Sequence, residues 1–123
     1  MIKPERTGER ASEYSLWHRT LGSGCYVVDV DWVEYRNDRG IVAFICTTGR
    51  FNDEQHILFS KPMVFERTKL ERKIVKQLSE VMKVPGFFVM HLTDLSLFYV
   101  YDLDFVNVKV MTLEEYGDFI KKL

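Results

Sequence analysis

Cysteine, proline and long apolar runs are all scarce in this chain, and each scarcity excludes a class of protein. The 123 residues hold two cysteines, too few for the disulfide framework that staples small secreted domains. A Cys25–Cys46 bridge is not expected in a reducing compartment, and neither cysteine has the ligand spacing of a structural zinc site. No apolar run approaches the roughly 18 residues of a membrane span. The first residues, Met1-Ile2-Lys3-Pro4-Glu5-Arg6, are charged and lack the apolar stretch of a signal peptide, so cytoplasmic residence is expected. Repeats, low-complexity segments and linkers are missing. A net charge of −1 excludes a molecule coated in positive charge. Gly22-Ser23-Gly24 has no downstream lysine of the kind a phosphate loop needs, and no serine-centred nucleophile elbow appears.

What is present is enough for one core. The chain is 46% apolar and 14% aromatic, values of a folded globular chain, and its length sets a single domain over residues 1–123. Charge is unevenly spread. Residues 61–83 carry net +4, whereas 21–60 and 94–123 each carry net −3. Lys69, Arg72, Lys73 and Lys76 therefore form a local basic patch on an otherwise balanced protein. Such a patch suits a phosphate backbone, or is simply a solvated helix face.

Periodicity orders the elements. Ala11, Tyr14, Trp17 and Leu21 give a helix from about Glu9 to Leu21, closed by Gly22 and Gly24. A strand follows over 26–36, then a turn rich in residues that tolerate positive φ (Arg36-Asn37-Asp38-Arg39-Gly40). Residues 41–48 read as a second strand, apolar enough to be buried on both faces. His56-Ile57-Leu58-Phe59 reads as a third strand. A long helix is expected from Val64 to Met82, with Leu70, Ile74, Leu78, Val81 and Met82 as its apolar stripe and the lysines and Arg72 away from it. Pro85-Gly86 stops it. Strands at 87–92 and 97–101 and an edge segment at 105–110 follow. Thr112 and Glu115 form a capping box that opens a closing helix. The order αβββαββα defines an α/β fold with a mixed β-sheet flanked by helices.

Asp29 and Asp31 fall within the first strand. A period of two puts them on one face, and carboxylates there need a partner. That partner is a metal ion, or an arginine such as Arg19 or Arg36. The neighbouring strand offers Cys46 and Thr48. His18, His56 and His91 read as structural, and Phe87, Phe88, Phe98, Tyr99 and Tyr101 as core, with base stacking as their alternative use.

This element order, together with Trp17-His18-Arg19 ahead of the Asp-x-Asp segment, resembles the restriction-endonuclease-like fold, whose signature is Asp…(Asp/Glu)-x-Lys. The resemblance spans roughly Glu9 to Leu103. It implies a metal-dependent endonuclease acting on nucleic acid, with DNA as the expected partner and Mg²⁺ or Mn²⁺ as the ion. It places Asp31 at the first carboxylate, with Asp29 as alternative or second ligand, and Glu9 or Glu13 as accessory acid. It also places Cys46 where the motif has Asp or Glu, and Thr48 where it has Lys. A soft thiol suits Mg²⁺ poorly, and a hydroxyl carries no charge. The reading is therefore a nuclease-fold protein that engages nucleic acid through Lys69, Arg72, Lys73 and Lys76 with weak or no phosphodiester hydrolysis. Two alternatives stand. One is an active endonuclease with migrated groups (Lys69, Lys73, Lys76, Gln77, Asp53 or Glu54). The other is a protein-interaction module. A homodimer through the 105–110 edge is compatible with each.

Overall fold

The computed structural model describes residues 12–26 and 28–123. After α1 (Ser12–Arg19), β1 (Trp32–Arg36) and β2 (Gly40–Phe51) form an antiparallel hairpin. Gly40 closes its turn at φ +80°, a conformation that costs glycine nothing. Two helices, α2 (Glu54–Arg67) and α3 (Lys69–Met82), then carry the chain back so that β3 (Gly86–Leu92) pairs parallel with β2. β4 (Leu97–Asp102) and β5 (Val108–Thr112) add antiparallel strands, and α4 (Leu113–Lys121) ends the fold. The result is an α/β fold with a five-stranded mixed sheet in the order β1-β2-β3-β4-β5. No helix among the described residues is long and apolar enough to cross a membrane.

Strand alternation builds two cores. On one face Phe44 and Cys46 of β2, Phe88 and Met90 of β3, and Tyr99 and Tyr101 of β4 pack with Ile57, Val64 and Val75 of α2 and α3. On the other, Ile45, Val89, Phe98 and Val100 meet Tyr116, Phe119 and Ile120 of α4. Ala43 to Cys46 are buried without interruption, as a strand covered on both faces requires. The capping box forms at Thr112 and Glu115, with both of its hydrogen bonds in place.

Four expectations need correction. The first strand starts only at Trp32, so Asp29 and Asp31 lie in the segment that leads into it. His56–Phe59 is helical. Asp53 caps α2 by accepting the His56 N–H at 2.8 Å, and an apolar run of four is too short to outweigh a cap. Among the described residues, two strands therefore lie between α1 and α2. The expected long helix is two helices, jointed at Thr68, whose ψ of 10° departs from the helical value and whose hydroxyl donates to Val64 O. Finally, the edge strand runs over Val108–Thr112, because Phe105 turns at φ +60° and drives its ring into the core.

Candidate functional site

Asp31 owes its position to the hairpin. Trp32 pairs with Ile45, so the register carried back one residue sets Asp31 opposite Cys46. Its Oδ2 accepts the Thr47 backbone N–H at 2.9 Å, and the Trp32 indole donates to the Thr47 hydroxyl at 3.0 Å. Glu71, in the first turn of α3, closes the arrangement from the helix layer. Its carboxyl lies near enough to the Asp31 carboxyl and the Cys46 thiol for each to shift its protonation. Arg36, one of the expected partners of the aspartates, instead binds Glu34 at 3.0 Å and the Ile120 carbonyl at 2.6 Å.

The electrostatics follow from that packing. Burial pushes the Glu71 carboxyl up to about 7. The charge of Asp31 and the hydrogen bond to it add to the shift, the thiol hydrogen bond opposes it, and the charge of Asp29 adds again. Burial also pushes the Cys46 thiol far up, with the negative charges of Glu71 and Asp31 adding. Cys46 is thus a neutral S–H donor at pH 7, neither nucleophile nor ligand. Two neighbouring carboxyl groups cannot both ionise at ease, and either a proton or a divalent cation relieves them. Among the described residues no three His, Cys, Asp or Glu side chains form a ready-made ion-holding set. The Asp31–Glu71 oxygens nonetheless suit a hard cation of the Mg²⁺ type, which binds through one or two carboxylates and keeps waters elsewhere.

Thr48, on the same face of β2 as Cys46, opens into a polar cavity of about 470 Å³ between β2 and α2. Arg50, His56, Ser60 and Arg67 line it with Thr48. His56 accepts the Asn52 N–H on Nδ1 at 3.2 Å, which leaves the neutral ring's proton on Nε2.

The remaining sequence candidates scatter. Glu13 lies exposed on α1, a helix that packs on no other helix or strand among the described residues, and Glu9 falls outside those residues. Arg72, expected on a solvated face, is only 6% exposed. It donates to Leu103 O, Phe65 O and the Thr68 hydroxyl, and its guanidinium stacks over Phe65 and Phe105. The buried line of α3 runs through Arg72, Val75 and Ser79, while Leu70, Val81 and Met82 are exposed. Lys76 pairs with Asp104 at 3.1 Å. Lys69, Lys73 and Gln77 are exposed. Asp53 is occupied as the α2 cap, and Glu54 accepts the Tyr99 hydroxyl proton at 2.6 Å.

Glu71 is the residue that sequence reasoning missed. Its signal was available: it precedes Val75 by four and Leu78 by seven positions, which makes it an acid on the sheet-facing side of an amphipathic helix. Set against known proteins, the chain matches no family model, no curated protein and no solved structure.

Proposed function

We propose that the chain is a restriction-endonuclease-like protein that engages nucleic acid, holds a divalent cation between Asp31 and Glu71, and hydrolyses phosphodiesters weakly or not at all. The observation that carries this reading is the Glu71 carboxyl, delivered by α3 against Asp31 at the strand position where Cys46 replaces an acid. A cation there would offset phosphate charge and acidify a bound water. The chain's own residues hold Asp31 in place through the Thr47 N–H, exclude water behind Cys46 and keep a proton on Glu71 until a cation displaces it. Hydrolysis lacks a charged group at Thr48, and losing one such transition-state donor costs on the order of 10²–10³ in rate.

The same Glu71 favours a second reading, an active endonuclease whose carboxylate has moved from β2 to α3. Incubating supercoiled plasmid with the protein and Mn²⁺ separates the two. Intact plasmid supports the weak-hydrolysis reading. Nicking that disappears in both Asp31→Asn and Glu71→Gln establishes the active enzyme, and nicking that survives both removes the site from either account.

A further inference from the structure

We infer that the groove between α2 and the C-terminal half of β2 binds the phosphate groups of a nucleic-acid strand and leads that strand to the Asp31–Glu71 cluster. The inference rests on the proposed function and adds to it the surface that holds the strand.

The groove is built for an anion. Arg50 and Arg67 both line it, and neither guanidinium makes a hydrogen bond or ion pair with the described residues. No carboxylate lines it among those residues. Two guanidinium groups facing one cavity without a counter-charge repel each other, and phosphate oxygens match their forked donors. Ser60 adds a hydroxyl donor. It is 6% exposed, lines the same cavity, and its hydroxyl has no hydrogen-bond partner among the described residues. That hydroxyl is reachable from the cavity, since Ser79 Oγ is the one buried side-chain oxygen left without a partner among the described residues, and it can donate to an anion there. Thr48 adds a second hydroxyl, and His56 presents its proton on Nε2.

The backbone is shaped around this cavity. The pairing of β2 with β3 slips between Thr48 and Phe51, and Arg50 sits within the slip at φ +73°. A side-chain-bearing residue in that region is strained, and such strain gathers where a bulge re-aims a side chain at a functional site. Gly49 permits the bulge because its backbone lies against the His91 ring, 2.4 Å from where a Cβ would stand.

The groove also has length and direction. His56, Ser60, Val64 and Arg67 lie along one face of α2, roughly 16 Å at 1.5 Å per residue, more than a lone phosphate needs. His56 stands beside Phe51 at the outer end. Arg67 lies at the other end of α2, next to the joint from which α3 presents Glu71. Cationic groups along the groove and carboxyls at its inner end suit a polyanion whose last phosphate meets a cation at the cluster.

Anisotropy of a labelled 12-nucleotide strand, single and as a duplex, tests this on the full chain in cation-free buffer at two salt concentrations. Arg67→Gln and Arg50→Gln should each weaken binding about tenfold and lower the salt slope by about 1. Ser60→Ala should weaken binding a few-fold and leave the slope alone. Wild-type binding that neither arginine substitution changes overturns the groove and leaves the nucleic-acid reading standing. Inorganic pyrophosphate, titrated in parallel, separates the sources of phosphate. If it binds with Arg67 dependence while no oligonucleotide does, the nucleic-acid reading falls and the groove is a small-anion site. If neither ligand binds, both fall.

Discussion

Arg67 and Arg72 stand on either side of the α2–α3 joint and live in opposite environments. Arg72 is buried. Its donors go to two backbone carbonyls and the Thr68 hydroxyl, and its guanidinium carbon lies 4.4 Å and 4.9 Å from the centroids of the Phe65 and Phe105 rings. Arg67 is exposed in a polar groove and engages none of the described residues. One stretch of basic sequence therefore does two jobs. On the inner side of the joint, charge is consumed by the fold, and burial lowers the Arg72 pKa from its ordinary value. On the outer side, Arg67 remains available to something outside the chain. A basic run in sequence is thus an uneven guide to a basic surface: Lys69 and Lys73 on α3 are exposed, whereas Arg72 on the same helix is buried.

The contrast can be broken by substitution, beginning where the effect should be largest. Arg72→Met leaves the Leu103 and Phe65 carbonyls without their donor, and should cost about 3 kcal/mol in denaturant unfolding. A loss under about 1 kcal/mol would mean that the joint does not depend on that network. Gly49→Ala pushes a methyl into the His91 ring and should cost about 2 kcal/mol, which sharpens the claim that the Arg50 bulge is held from behind.

Glu71→Gln should act in the opposite direction. The folded carboxyl is raised from 4.5 to about 7, so its protonated form contributes fully below about pH 4.5, and that contribution is lost as pH rises to about 7. Removing the charge should therefore stabilise the fold at pH 8, by about 1 kcal/mol after solvent screening, and flatten the pH 5–8 stability profile. An unchanged slope would contradict the packing of Glu71 against Asp31. Arg67→Gln should be the quietest, within about 0.5 kcal/mol by thermal unfolding. A larger loss would erase its distinction from Arg72.

The strand half of the site is legible in sequence because its geometry is local. A short turn ties β1 to β2, so the hairpin register alone brings Asp31 to Cys46. The helix half is not legible in this way. Which residue of α3 meets β2 is a tertiary matter: the large apolar residues set the expected stripe, yet Leu70 and Val81 are exposed and the buried line runs through Arg72, Val75 and Ser79. Arg72 then looks solvated and Glu71 looks like ordinary helix charge. The capping box at Thr112 was legible for the same reason as the hairpin, since both of its bonds span three residues. The Asp53 cap is equally local, but the His56–Phe59 run after it resembles a strand and hides the helix it opens.

Calorimetric titration of Mn²⁺ into wild type, Asp31→Asn and Glu71→Gln, in two buffers of different ionisation enthalpy at pH 7, tests the cation site most directly. The account predicts binding by wild type with release of the Glu71 proton, and loss of both in each variant. Equal binding by all three proteins, or none by wild type, would contradict it.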